Sequence, residues 1–362
     1  MGAIEISGIR KIFELGRTLK DPIDLSIGQP EFDVPEPVKQ AAIEAIHRGY
    51  NSYTTSAGIP KLREKILTDI RRQFHHEDRD VMIASGTSGA LQLALSATVN
   101  PGDEVILFDP YFVSYKHMVR FMGGVPVYVD TYPHFTIDLE RVQAALTPRT
   151  KAILLNFPSN PTGAIYDKEQ ISAVARLAYD RGILLISDEI YRSFNYTGAF
   201  HSAAEFNPDA LVIDGFSKSY SMTGWRLGYA HGPKMLLEQM TKLQQITFVC
   251  APSIVQHAGL TALDVDMSAQ IEIYRRRRDR VIEALEGLYE IEKPGGAFYV
   301  FPKAPWGTAT QFVEAAIRNN LLIVPGSAFS CRDTHFRLSY AVRDEILDRG
   351  LEALRSLARQ GK

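Results

Sequence analysis

Short apolar or β-branched runs recur along the chain, each followed by a polar turn and then a helical pattern: VMIA (81–84), EVILF (104–108), VPVYV (125–129), KAILL (151–155), ILLIS (183–187) and ALVID (210–214). Strands alternating with crossover helices predict right-handed βαβ units and a mainly parallel, doubly wound α/β sheet. The intervening helices carry one buried stripe. Leu91, Ala94, Leu95 and Thr98 fall at i, i+3, i+4 and i+7, and residues 170–181 read the same way. Residues 1–45 break the rhythm, reading as a short helix (9–15), a strand (23–27), a Pro-rich turn and a helix (38–46). From residue 278 the pattern is α+β, with strands at 297–301, 321–324 and 334–340 and helices at 310–319 and 345–359. The expected division is a large domain over 46–277 and one smaller α+β domain built from both chain ends, 1–45 and 278–362. The basic run Arg275–Arg278 sits among apolar positions at helical spacing and reads as a solvated helix face.

Composition narrows the class. A chain of 362 residues, 45% hydrophobic and 23% charged, has length for about two domains. Its 40 Lys+Arg against 42 Asp+Glu leave a net charge of -2, which offers no electrostatic reason for nucleic acid or an anionic membrane surface as partner. Cys250 and Cys331 lie far apart, against a disulfide framework, a CxxC redox pair or a thiolate zinc site. The amino terminus has no apolar signal core, and no apolar run approaches the length of a membrane span. A soluble, cytoplasmic protein is the expectation.

In open α/β sheets ligands sit beyond the carboxyl ends of the strands. Those ends read Ser85-Gly86-Thr87-Ser88-Gly89, Asp109-Pro110-Tyr111-Phe112, Asn156 to Gly163, Asp188-Glu189-Ile190-Tyr191 and Gly215-Phe216-Ser217-Lys218. Each signal alone has an ordinary explanation. A Gly/Ser/Thr turn entering a helix can hold phosphate on its N–H groups or be a plain cap; this one is neither GxGxxG nor GxxxxGK[ST], so a dinucleotide or P-loop site lacks its fingerprint. Asp188 could cap a helix, and Lys218 could snorkel to the surface. Together, an amine for a Schiff base, a carboxylate for a ring nitrogen and an anion nest are what a phosphorylated pyridine aldehyde requires. Arg337 alternates with apolar Phe336, Leu338 and Tyr340, so an inward guanidinium there needs an anion. His75-His76-Glu77-Asp78 lacks HExxH spacing, and no metal is expected.

Nearly the whole chain resembles the class I/II aminotransferases of the fold-type I pyridoxal-phosphate (PLP) enzymes, on the aspartate/aromatic aminotransferase side. The motifs are SIGQPEFDVPEPV (26–38), SYTTSAGIPKLRE (52–64), SGTSGALQ (85–92), NFPSNPTGAIY (156–166), SDEIY (187–191), FSKSYSMTGWRLGY (216–229), GGAFYVFP (295–302) and FRLSYA (336–341). The resemblance implies Lys218 as the Schiff-base lysine and Cα base, Asp188 as the partner of the pyridine nitrogen, and Tyr191 with Asn160 on the ring oxygen. It implies Phe112 stacked on the ring, and phosphate held by Gly86, Thr87, Ser88, Ser217 and Arg226, with Tyr53 arriving from a second subunit of a homodimer. Arg337, Gly28 and Asn160 would grip the substrate α-carboxylate, and Tyr111, Phe112 and Phe329 would line an apolar side-chain pocket.

Three positions depart from the common pattern: Phe112 where many relatives carry Trp or Tyr, Ser88 where some carry Lys, and Ser327 where an acidic residue is common. The implied reaction is ping-pong transfer of an amino group from an amino acid, aspartate or aromatic, to a 2-oxo acid such as 2-oxoglutarate. A PLP-dependent C–S β-lyase shares these motifs. A non-catalytic PLP-sensing domain is the third reading, disfavoured because the sequence shows no DNA-binding segment.

Overall fold

The computed structural model describes residues 19–74 and 76–360. The helix expected at 9–15 and His75 lie outside them. The strands in chain order are β1 (Ile23–Asp24), β2 (Arg79–Ala84), β3 (Glu104–Asp109), β4 (Val125–Asp130), β5 (Thr150–Asn156), β6 (Leu184–Asp188), β7 (Leu211–Gly215), β8 (Gly228–Pro233), β9 (Tyr299–Val300), β10 (Leu321–Leu322), β11 (Val324–Pro325) and β12 (Phe336–Ser339). The helices used below are α1 (Glu36–His47), α2 (Pro60–Phe74), α3 (Gly86–Thr98), α4 (Ser114–Phe121), α5 (Leu139–Ala145), α6 (Lys168–Asp180), α7 (Lys234–Thr247), α8 (Ser253–Ala262), α9 (Ser268–Leu285), α10 (Ala309–Arg318) and α11 (Asp344–Gln360).

Seven strands form the central sheet in the order β2-β8-β7-β6-β5-β3-β4. The six strands expected from the apolar runs are present and share one direction; β8 runs antiparallel to both β2 and β7. Its sequence, GYAHGP, has no β-branched residue and two glycines, so no propensity marked it as a strand. Side chains alternate between the sheet faces. Leu107, Leu154 and Ile186 meet Leu91 and Leu95 of α3 and Met240 of α7 on one face. Ile106, Ile153 and Leu185 meet Val174 and Ala178 of α6 on the other. Burial of these side chains stabilises the sandwich by about 1.5–3 kcal/mol each. Asp167 and Gln170 close a capping box at the start of α6, satisfying donors that would otherwise be orphaned.

Outside the central sheet, segments from the two ends of the chain pair with each other. β1 pairs in parallel with β10, and β12 lies between β11 and β9, antiparallel to both. The strand expected at 321–324 is thus two pieces serving two sheets, with buried Ile323 between them. Ile23 and Leu25 share a core with Phe298, Phe312 and Leu354. Helix α1 packs on α8, and Val34 and Val38 join Leu62, Phe216 and Ala258 in one apolar core.

The basic run of α9 also differs from expectation. Arg277 and Arg278 are buried. Arg277 pairs with Glu31 and Asp344, and Arg278 pairs with Asp279, donates to the Pro294 carbonyl and lies over the Tyr196 ring. Apart from Asp279, the partners come from residues distant in sequence, so helical spacing alone could not tell these arginines from solvated ones.

Candidate active site

The carboxyl ends of β2, β3, β5, β6 and β7 open on one cavity of about 260 Å³, closed on its far side by β9, β12 and the Gly28 segment. Of the residues expected there, Gly28, Thr87, Ser88, Phe112, Asn160, Asp188, Tyr191, Ser217, Lys218, Arg226 and Arg337 line it. Gly86 stands just behind, and Tyr53 points outward with 83% of its surface exposed. Tyr111 and Phe329 do not line the cavity. Tyr111 is buried against Tyr128 at a 5.1 Å centroid separation, and Phe329 lies beneath Arg337, 4.7 Å from its guanidinium carbon. The larger neighbouring depression, near His134 and Glu292, contains none of the expected site residues.

At one end α3 begins without a side-chain cap, so N–H groups of its first turn lack the usual capping partner. Two glycines bring the surrounding parts together. A Cβ on Gly228 would fall 2.6 Å from the Thr87 nitrogen, and one on Gly86, at φ +73, would fall 2.5 Å from Arg226 Nη2. The amides at this helix start, the Thr87, Ser88 and Ser217 hydroxyls and the Arg226 guanidinium have the chemistry to hold a dianionic phosphate.

In the middle, Lys218 Nζ donates to the Gly28 carbonyl at 2.6 Å and lies 5.8 Å from the Tyr191 ring centroid. Its pKa is pulled down to about 8, first by burial and then by the positive charges of Arg337 and Arg226. Asp188 ends β6 and is buried. Burial pushes its carboxyl up to about 6, while the Tyr115 hydroxyl at 2.8 Å and the Ile190 N–H at 3.2 Å pull against that rise by favouring the charged form. A ring nitrogen that carries its proton beside Asp188 suits this carboxylate.

At the other end Arg337 is buried, with Nη1 donating to Asn160 Oδ1 at 2.9 Å and Nη2 to the Ser26 carbonyl at 2.7 Å. Its Nε is buried without a hydrogen-bond partner. Arg337 lines the cavity, and a guanidinium that keeps one N–H unpaired fits a ligand carboxylate.

Leu91, Tyr115, Asn156, Ile190, Thr223 and Tyr299 also line the cavity and were not singled out in sequence. Tyr115 follows Phe112 by one turn at the start of α4, a spacing that could have flagged it. Tyr299 carried no local sign of its role. Among the described residues no group of three His, Cys, Asp or Glu side chains is arranged as a metal site, and no helix is long and apolar enough to cross a membrane.

A mainly parallel sheet that gathers a buried lysine, a buried carboxylate and an uncapped helix start at its strand ends fits a fold-type I PLP enzyme, and the comparisons agree. The sequence profile of the aminotransferase class I and II family matches residues 20–354, and the chain belongs to that family. It is 41% identical to the aspartate/prephenate aminotransferase of Thermus thermophilus over 94% of this chain and 92% of that protein. It is 36% identical to a probable aspartate aminotransferase of Methanocaldococcus jannaschii over 98% and 97%. Among solved structures, Thermus thermophilus aspartate aminotransferase with maleate superposes with a TM-score of 0.93 at 39% identity, covering 98% of each chain. The protein is a PLP-dependent aminotransferase acting between amino acids and 2-oxo acids; the lyase and sensor readings are not favoured.

Proposed function

We propose that the enzyme moves the amino group of aspartate, with aromatic amino acids as secondary donors, to 2-oxoglutarate. The observation that carries this reading is Arg337: a buried guanidinium that lines the cavity and keeps one N–H unpaired suits the α-carboxylate common to every donor and acceptor. Bound PLP supplies an electron sink for the electrons released at the substrate Cα. Lys218 Nζ takes up and returns the Cα proton, a task its lowered pKa of about 8 favours at neutral pH. The Asp188 carboxylate holds the proton on the ring nitrogen. The Tyr191 hydroxyl donates to the ring oxygen, and Phe112 covers one face of the ring. Thr87, Ser88, Ser217 and Arg226 bind the phosphate, with Gly86 giving the loop its left-handed turn. Gly28 and Asn160 complete the carboxylate grip.

Leu91, Phe112 and Ile190 give the cavity an apolar share that suits a pocket tolerant of different side chains. The proposal extends to a homodimer. Tyr53 at 83% exposure, with Ile46, Ile246 and Phe248 also exposed, fits a surface that meets a second copy and lends Tyr53 to its phosphate site. The working compartment proposed is the cytoplasm, consistent with the free Cys250 and Cys331. A steady-state panel of donors against 2-oxoglutarate tests the substrate reading. The expected order is aspartate first, then phenylalanine and tyrosine; an enzyme that accepts neither class, or releases pyruvate and ammonia without an acceptor, overturns it.

A further inference from the structure

Tyr299 stands where three parts of the site meet. It is fully buried on β9, next to the strand that carries Arg337. Its hydroxyl lies 2.8 Å from the Tyr191 hydroxyl, with the two rings nearly perpendicular at 80°. Its ring face lies 4.5 Å from the Arg337 guanidinium carbon. Its hydroxyl also presses on Gly28, where a Cβ would fall 2.5 Å away, and the Gly28 carbonyl accepts from Lys218. One side chain therefore touches the Tyr hydroxyl, the Arg and the backbone that holds the Lys.

Resting on the assignment of Tyr191 to the cofactor ring oxygen, we infer that Tyr299 is a positioning residue with two separable parts: its hydroxyl donates to Tyr191, and its ring face seats Arg337. The direction of the hydrogen bond follows from the work Tyr191 does. If Tyr191 spends its proton on the ring oxygen, its own oxygen is free to accept, and Tyr299 is the donor. Burial raises the pKa of both phenols, so both keep their protons at neutral pH. A donated bond polarises Tyr191 and makes it the stronger donor in turn. The ring of Tyr299 acts at a different point, offering the desolvated guanidinium a π face without taking up a hydrogen-bonding N–H. Arg337 is thus held in position without a further hydrogen bond being used.

The two parts come apart by substitution. In Tyr299→Phe holoenzyme the ring stays and the hydroxyl goes. Weaker donation by Tyr191 disfavours the ionised ring oxygen, so the midpoint of the visible-absorbance pH titration should rise by about half to one unit. Affinity for succinate, a non-reacting dicarboxylate, should stay within about twofold, and kcat should fall more than KM changes. In Tyr299→Leu the π face goes as well, and the succinate dissociation constant should rise about tenfold. An unshifted titration midpoint in Tyr299→Phe overturns the hydroxyl role, and equal succinate affinity in the Phe and Leu variants overturns the ring role. If the Leu variant does not fold, a succinate affinity in Tyr299→Phe weakened as much as the tenfold loss overturns the separation, and affinity within twofold upholds it. The same titration of Tyr191→Phe holoenzyme separates this failure from that of the underlying assignment. An unshifted midpoint in Tyr191→Phe removes the assignment itself; a raised midpoint there with an unshifted one in Tyr299→Phe removes only Tyr299.

Discussion

The sheet-side wall of the cavity, with Thr87, Asp188 and Lys218 at strand ends, comes from strands held in one hydrogen-bonded register, whereas the facing wall joins Arg337 to the Ser26 carbonyl across 311 positions of chain. On the first wall the buried acid already has its partners: Asp188 accepts from the Tyr115 hydroxyl and from the Ile190 N–H. The second wall leaves a charged donor, Arg337 Nε, without a partner. Chemistry that must be poised before substrate arrives belongs on the first wall. Recognition of a group present only when substrate is bound belongs on the second.

The sharpest break on the sheet side is Lys218→Ala. It should cut kcat by at least roughly 10⁴-fold, since it removes both the covalent anchor and the Cα base. Phosphate-anchored cofactor should still be detectable by absorbance after gentle desalting. Retained turnover in that variant would move the chemistry to another residue.

On the facing wall, Arg337→Leu should lower kcat/KM by about 2–5 kcal/mol in transition-state binding, roughly thirty- to several-thousand-fold, and alike for aspartate, phenylalanine and alanine. Losses confined to acidic donors in the same assay would make Arg337 a side-chain selector instead.

Tyr115→Phe probes how far the first wall is arranged in advance. Its hydroxyl helps keep Asp188 ionised against burial, so its loss should move the Asp188 pKa further up from about 6. The acid limb of the kcat profile should shift to higher pH, with about a tenfold lower kcat near pH 6 and little change at pH 8.5. Stability gives the same sign. The folded-state pKa of Asp188 exceeds its ordinary value of 3.8, so the buried charge costs the cofactor-free protein nothing below about pH 4 and its full penalty above about pH 6. Asp188→Asn should therefore raise the melting temperature of cofactor-free protein at pH 8 by a few degrees, and the gain should vanish near pH 4. A variant no more stable than wild type at pH 8 would show that Asp188 is not a strained charge.

The smallest effect concerns the second copy. Tyr53→Phe should weaken PLP binding about fivefold, the worth of one hydrogen bond, without changing the dimer mass measured by light scattering. A fully active monomer would remove the shared-site reading.

Most of the sheet-side wall was legible before any coordinates, because each residue follows its own strand and strand ends face one edge of a parallel sheet. Lys218, Asp188, Thr87 and Phe112 needed only local pattern. Tyr111 falls outside the cavity because it packs into the core against Tyr128 while its neighbour Phe112 lines the cavity, and sequence does not say which of two adjacent rings faces the ligand. Tyr299 escaped notice because its partners, Tyr191, Arg337 and Gly28, lie far away in the chain.

By itself, then, the amino-acid sequence determined the parallel strands, the order of chemical groups at their ends and the family to which those groups belong. These rest on short-range periodicity and on the functional groups the residue types carry, whatever tuning their surroundings add. The tertiary structure decided the antiparallel course of β8, the attachment of α1 to α8, the burial of Arg277 and Arg278, and which phenol backs which site residue. Each of those depends on what two distant segments exclude from water when they meet, a quantity no local window of residues contains.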